Sequence, residues 1–314
     1  MKRKAIIVSI KGTYLSKMEK ILLSKEKPWG IILFKRNLKS KKQIIDLIST
    51  IKILTKNNKF PILIDEEGKK VSRLGRIINH DISANFFGNL YKKDKKLCEK
   101  LLKNYICSLC KNLKELGFNI NTIPVLDVLR TYTNDIIGNR SFSNNKEIVK
   151  KLGEITIKYL HINKIVGVIK HIPGHGAATS DSHINMPKVF LNLKKLSEID
   201  FYPFKKSKAK LAMTAHILYV KLDKKNVATF SKKIIKNIIR KKINFKGILI
   251  SDDISMKALK YDLITNAKKS LKAGCNLVLY CAGNINDNFR LIKSVPYIDK
   301  FTVKKTSEFY KFLS

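Results

Sequence analysis

The sequence predicts an α/β fold, a single (β/α)8 barrel of the TIM type that accounts for residues 1–314. Three observations lead to this prediction. Short apolar runs alternate with longer amphipathic segments, eight such units can be counted, and polar residues gather where the apolar runs end. A chain of 314 residues with 44% hydrophobic content is long for one domain unless that domain is a barrel, and no low-complexity linker divides it.

The apolar runs are rich in Ile, Val and Leu, as strands buried on both faces of a parallel sheet should be. The predicted strands cover 4–10, 30–34, 61–65, 118–128, 167–171, 211–216, 247–253 and 276–280. The predicted helices between them include 41–56, 95–116, 146–163, 231–241 and 262–273, the last followed by Gly274 as a stop signal. We expect residues 293–314 to form a C-terminal helix over the outside of the barrel.

Polar side chains cluster at the ends of six of these runs. They are Arg36, Asp65, Asp127, Lys170 with His171, His216, and Asp252 with Asp253. In a (β/α)8 barrel the carboxyl ends of the strands share one rim, where such enzymes keep their catalytic residues. His216 could line that rim or simply hydrogen-bond there.

The chain is strongly basic, with a formal net charge of +40. Only eight of its 64 basic residues are Arg, and the lysines occur all along the sequence rather than in one stripe. This distribution indicates a compositional bias, so we expect no specific nucleic-acid partner. Where Lys is the default cation, a remaining Arg is a candidate for chemistry that needs a planar fork, which draws attention to Arg73 and Arg140.

Cysteine usage and hydropathy favour a soluble cytoplasmic protein. The five cysteines lack the spacing of a disulfide framework, so we expect reduced thiols. The apolar run near the N-terminus is too short for a signal peptide, and no run of about 18 apolar residues suggests a membrane span.

The segment KHIPGHGAATSDSH, residues 170–183, holds three of the six histidines. His171 and His175 have the spacing of two metal ligands on a helix, but the proline and glycines around them oppose a helix, so we expect no metal site. A solvated loop with incidental histidines is the other simple interpretation. Asp181 lies two residues before His183, where a carboxylate could orient an imidazole that transfers protons.

A second motif, ILISDDISM, ends a predicted strand in two carboxylates, Asp252 and Asp253. A carboxylate at the end of a barrel strand can attack the anomeric carbon of a sugar, although one of the pair could instead cap the next helix.

Seven segments occur in an order that resembles a known family. They are PILIDEEGKKVSRL, PVLDV, IGNRSF, KHIPGHG followed by DSH, MTAHILY, ILISDDISM and AGCNLVL. Together they resemble the β-N-acetylglucosaminidases of glycoside hydrolase family 3 that act in bacterial peptidoglycan recycling. The resemblance extends from about Lys4 to Cys281 and implies a single-domain (β/α)8 enzyme.

The resemblance also implies roles for individual residues. Asp252 matches the nucleophile, His183 the general acid/base and Asp181 its partner. The sugar-binding positions match Asp65, Arg73, Arg140, Lys170 and His171. Lys69 and Lys70 depart from the family, which has Gly and Arg there, so the shape of this loop is in question.

The implied reaction is retaining hydrolysis that releases terminal β-linked GlcNAc from muropeptides or other β-GlcNAc saccharides through a covalent glycosyl-enzyme intermediate. We expect no metal or organic cofactor, no membrane partner, and a monomer. Because a neutral imidazole would not repel an anionic acceptor, a glycoside phosphorylase is the alternative enzyme. An inactive barrel that binds polyanions through its charge is a third hypothesis.

Overall fold

The computed structural model describes residues 2–79, 81–180 and 185–314. Its barrel strands are β1 (Lys4–Val8), β2 (Pro28–Leu33), β3 (Ile62–Ile64), β4 (Ile120–Asn121), β5 (Val166–Ile172), β7 (Leu211–Thr214), β9 (Ile248–Asp253) and β10 (Leu277–Leu279). Within the described residues these eight strands are parallel and close in the order β1-β2-β3-β4-β5-β7-β9-β10. The predicted (β/α)8 barrel is therefore confirmed.

Among the described residues, two short strands lie outside the barrel, and neither was predicted. They are β6 (Lys188–Val189) and β8 (Leu218–Tyr219), which pair in parallel. Only two residues of the predicted strand at 118–128 form a strand. Pro124 has no N–H to donate, and asparagine side chains take the place of backbone carbonyls as hydrogen-bond acceptors for the neighbouring segment. Asn119 Oδ1 accepts from the N–H of Ile62 at 2.8 Å, and Asn121 Oδ1 accepts from that of Glu66 at 3.0 Å.

The helices pack around the barrel. They are α1 (Lys17–Ile21), α2 (Lys41–Leu54), α3 (Ala84–Lys93), α4 (Lys95–Leu116), α5 (Lys146–Ile162), α6 (Leu193–Glu198), α7 (Leu263–Ala273), α8 (Ile285–Ser294) and α9 (Lys300–Leu313), with π-type helices at Leu22–Glu26 and Ile234–Lys242. Asp262 caps the start of α7, and Gly274, in the left-handed region at φ +119°, ends it as predicted. Among the described residues, none of these helices is both long and apolar enough to cross a bilayer.

The two-residue period of the strands decides which side chains enter the barrel. In β9, Ile248 and Ile250 belong to the interior cluster, whereas Leu249 packs against the helices. The next inward position is that of Asp252, which lines the cavity at the carboxyl end. The same step of two leads from Leu63 to Asp65, from Ile120 to Thr122 and from Val168 to Lys170.

The C-terminal helix closes the opposite end of the barrel. Phe309 of α9 is buried within the interior cluster, and its ring centre lies 6.2 Å from that of Trp29, the second residue of β2. Trp29 Nε1 donates to Thr306 Oγ1 at 2.9 Å, and the N–H of Ile298 donates to Arg3 O at 2.9 Å. The expected position over the outside was wrong, because the apolar floor of the barrel must itself be covered from water. Residues 293–294 belong to α8 instead.

Candidate active site

A cavity of about 210 Å³ opens at the carboxyl end of the barrel strands. This volume lies below the range of about 300 to 1,000 Å³ that is usual for drug-sized ligands, so the cavity suits a small ligand such as one sugar ring. Its described lining consists of Asp65, Glu67, Val71, Arg73, Ile136, Ile137, Arg140, Lys170, His171, His175, Met213, Asp252, Leu279 and Cys281. All five predicted sugar-binding residues and the predicted nucleophile therefore meet in one cavity.

Asp65 lies at the end of β3 between two cations. Its Oδ2 accepts from Arg73 Nη2 at 3.2 Å, and its Oδ1 lies 3.6 Å from Lys170 Nζ. Thr122 donates its hydroxyl to the same Oδ1. Burial acts to raise the pKa of Asp65, but Lys170, Arg73 and the Thr122 hydrogen bond outweigh it and lower that pKa below its ordinary value. Asp65 is therefore ionised at neutral pH, and its carboxylate can accept hydrogen bonds from a ligand.

Glu67 joins the two other predicted sugar-binding cations. Arg140 donates to it through Nε at 2.7 Å and Nη2 at 2.9 Å, a bidentate pair. Lys170 Nζ lies 2.6 Å from Oε1 of the same carboxylate. Burial acts to raise the pKa of Glu67, but these two cations hold it well below its usual range. Sequence reasoning had assigned no role to Glu67.

Asp127 organises the chain that leaves β5. Its Oδ1 accepts the N–H of His171 at 3.1 Å and that of His175 at 2.6 Å. Its Oδ2 lies 2.7 Å from His171 Nδ1. Burial acts to raise the pKa of Asp127, but the contacts with His171 and His175 lower it. Because the ionised Asp127 can only accept a hydrogen bond, Nδ1 of His171 must carry a proton. Nε2 is then the remaining polar atom of the ring.

His175 forms part of the cavity wall, which the sequence had not indicated. It is buried, and burial together with the neighbouring His171 lowers its pKa to about 4. His175 is therefore neutral at neutral pH. No group of three His, Cys, Asp or Glu side chains that could hold a metal ion occurs in the part of the chain that the structure describes.

The two carboxylates that end β9 have different surroundings. Asp252 lines the cavity and accepts the N–H of Asp253 at 2.8 Å. Burial acts to raise the pKa of Asp252, but His216 and His171 lower it. The Asp253 carboxylate instead accepts the Ser255 hydroxyl at 2.6 Å, and burial raises its pKa. Of these two carboxylates, Asp252 lines the cavity and has a lowered pKa, whereas Asp253 is outside the described lining and has a raised pKa.

His216 supports this strand end from behind. Its Nδ1 lies 2.7 Å from Thr229 Oγ1, and its Nε2 lies 3.0 Å from Asp253 O. The side chain is buried and does not line the cavity. Of the two interpretations of His216, the structure therefore favours a hydrogen-bonded support.

Two glycines hold the loop after β5 close to its neighbours. Gly174 adopts φ +139°, and a Cβ there would lie 2.6 Å from Asp200 O. A Cβ on Gly176 would lie 1.8 Å from Val128 O. The predicted acid/base His183 and its partner Asp181 lie outside the described residues.

Lys69 and Lys70, which differ from the family pattern, lie in a loop that still holds Arg73 at the cavity. Glu66 Oε2 accepts the N–H of Arg73 at 2.7 Å and that of Leu74 at 2.9 Å. Lys70 Nζ forms an ion pair with Asp135 Oδ2 at 2.9 Å. The unusual lysine thus links this loop to the loop after β4.

Known proteins resemble this chain in sequence and in fold. The family described as "Glycosyl hydrolase family 3 N terminal domain" matches residues 6–303. A beta-hexosaminidase of Nitrosomonas eutropha is 31% identical over 281 residues, covering 88% of this chain and 80% of its own. A beta-hexosaminidase of Neisseria meningitidis is 32% identical over 300 residues, covering 92% and 82%. The solved structure of NagZ from Neisseria gonorrhoeae in complex with N-trifluoroacetyl-D-glucosamine superposes with a TM-score of 0.88 at 29% identity, covering 100% of this chain and 91% of that one.

Proposed function

Since the chain belongs to glycosyl hydrolase family 3 and is a glycoside hydrolase of the beta-hexosaminidase class, we propose that it is a retaining exo-β-N-acetylglucosaminidase. Its substrates are muropeptides or other saccharides that end in β-linked GlcNAc. The observation that carries this proposal is the position of Asp252, an ionised carboxylate on the inner face of β9, in a cavity with room for a single sugar. A cavity of this size supports attack at the terminal residue of a chain.

The proposed reaction has two displacements. Asp252 attacks the anomeric carbon while protonated His183 gives its proton to the departing oxygen, so that a glycosyl ester forms and the aglycone leaves as an alcohol. Neutral His183 then takes a proton from water, whose oxygen attacks the anomeric carbon and frees the Asp252 carboxylate. Asp181 orients the imidazole and stabilises its protonated form.

The described residues supply the groups that hold the sugar. Asp65 is an acceptor for its hydroxyls, and Arg73, Arg140 and Lys170 are donors. The NagZ structure that is similar to this chain holds an N-acylated glucosamine derivative, which supports GlcNAc as the sugar bound here.

The test is turnover of an aryl β-N-acetylglucosaminide beside the matching aryl β-glucoside, followed by a β-GlcNAc-terminated muropeptide. We expect selective cleavage of the first aryl substrate and release of GlcNAc from the muropeptide. Repeating the assay with inorganic phosphate separates the alternatives, because a phosphorylase would release GlcNAc 1-phosphate. Salt-sensitive binding of a polyanion without turnover of either substrate would favour the inactive barrel and refute the proposal.

A further inference from the structure

Glu67 contacts two cations of the cavity, Arg140 and Lys170, and no role follows for it from the proposed chemistry. Its side chain is 6% exposed, beside Lys170 at 4% and Arg140 at 9%. Three charge-assisted contacts of 2.6 to 2.9 Å converge on its two oxygens. Hydrogen bonds between charged groups are stronger than neutral ones, so these contacts hold the Arg140 and Lys170 side chains in fixed orientations.

These contacts decide which donors remain for a ligand. Of the five N–H groups of a guanidinium, Arg140 uses two on Glu67 and one on the carbonyl of Ile136 at 3.0 Å. Of the three N–H groups of an ammonium, Lys170 directs one at Glu67 and one at Thr122 Oγ1, 2.9 Å away. Within the part of the chain that the structure describes, two N–H groups of Arg140 and one of Lys170 make no hydrogen bond, although Lys170 Nζ also lies 3.6 Å from Asp65 Oδ1. The contacts with Glu67 set the directions of these N–H groups.

The same carboxylate balances the charge of the cavity. Among the described lining residues, three cations (Arg73, Arg140 and Lys170) face three carboxylates (Asp65, Glu67 and Asp252). A chain with a formal net charge of +40 thus surrounds a ligand cavity in which these carboxylates and cations cancel.

We propose that Glu67 is a positioning and specificity-determining residue: it aims the free donors of Arg140 and Lys170 at the hydroxyls of an uncharged sugar and keeps small anions out of the cavity. This inference rests on the proposed function for the identity of the sugar. It concerns selection between neutral and anionic ligands, and it assigns Glu67 no contact with the reacting atoms.

The test compares two inhibitors, sulfate and free GlcNAc, in wild-type protein and three variants. Glu67→Gln keeps the shape but removes the charge, so sulfate should become a competitive inhibitor with an inhibition constant lowered at least about tenfold. The inhibition constant of GlcNAc and the KM of the aryl substrate should rise by about 10- to 100-fold, since the donors lose their direction. A site that was merely loosened would bind both ligands more weakly. A lower inhibition constant for sulfate together with a higher one for GlcNAc is therefore the diagnostic result.

Glu67→Asp retains the charge on a shorter side chain. It should raise the inhibition constant of GlcNAc while leaving that of sulfate near the wild-type value. Glu99→Gln, which breaks the half-exposed pair with Lys151 on the helices, is the matched control and should change neither constant. If Glu67→Gln does not fold, the Glu67→Asp variant decides: an unchanged GlcNAc constant overturns the proposal.

The proposal is also overturned if Glu67→Gln weakens both ligands or leaves sulfate inhibition unchanged. Binding of both ligands is measured by calorimetry as well as by inhibition. An absence of turnover in every protein, wild type included, would refute the proposed glycosidase, whereas the change in sulfate affinity at Glu67→Gln would still test its role in excluding anions.

Discussion

The two arginines of the cavity should respond very differently to replacement by lysine, although both line the same cavity. Arg140 has a side chain that is 9% exposed, with two hydrogen bonds to Glu67 and one to Ile136 O. A lysine ammonium at this position can replace at most one of the three. Arg73 has a side chain that is 29% exposed, and among the described residues its guanidinium makes one hydrogen bond, of 3.2 Å to Asp65, and lies 5.3 Å from the ring centre of Phe34.

These contacts give the expected magnitudes. Losing two hydrogen bonds that involve charged groups, at about 1.5 kcal/mol each, should lower the free energy of unfolding of Arg140→Lys by about 3 kcal/mol. The single, more exposed contact of Arg73 is weakened by solvent, so Arg73→Lys should lose less than about 1 kcal/mol. Both variants lose the planar guanidinium group. The transition-state stabilisation calculated from kcat/KM should therefore fall by about 1 to 3 kcal/mol in each.

The assays are urea denaturation and steady-state kinetics with the aryl β-N-acetylglucosaminide, both at one salt concentration. Equal losses of unfolding free energy in the two variants would refute the argument from contact number and burial. Unchanged kcat/KM in both would show that positive charge alone suffices for binding.

The remaining predictions concern the nucleophile, the acid/base, the loop after β5 and the floor of the barrel. Asp252→Asn should lower kcat by about three orders of magnitude or more, whereas Asp253→Asn should cost much less; comparable losses would contradict the assignment. His183→Ala should spare aryl substrates with very good leaving groups in the first step and be partly rescued by azide, and a failure of both effects would remove His183 from proton transfer. Asp127→Asn should lower kcat/KM by about 10- to 100-fold in steady-state assays, because an amide replaces a carboxylate that accepts hydrogen bonds from three N–H groups. Phe309→Ala should lower the free energy of unfolding in urea by about 3 to 5 kcal/mol and leave KM unchanged, and a raised KM would contradict the separation of floor and cavity.

The barrel and part of the cavity could be predicted because their signals are local. The step of two along a strand that places Ile250 and Asp252 on one face is visible in a short segment of sequence. Glu67 could not be singled out, because it follows two other acids and only the cations brought from distant segments distinguish it. The position of the C-terminal helix was also inaccessible: the apolar face of a helix indicates burial without saying against what, and its contact with Trp29 spans 277 residues of sequence.

The closed floor places the chain's single tryptophan where it can serve as a selective optical probe. Trp29 is fully buried against Phe309, at the end of the barrel opposite the cavity. Its fluorescence should therefore be insensitive to a sugar bound at the mouth, yet shift to longer wavelength once the last helix separates and water reaches the indole. If the emission shifts at a lower denaturant concentration than the circular dichroism is lost, the last helix detaches before the rest of the fold unfolds.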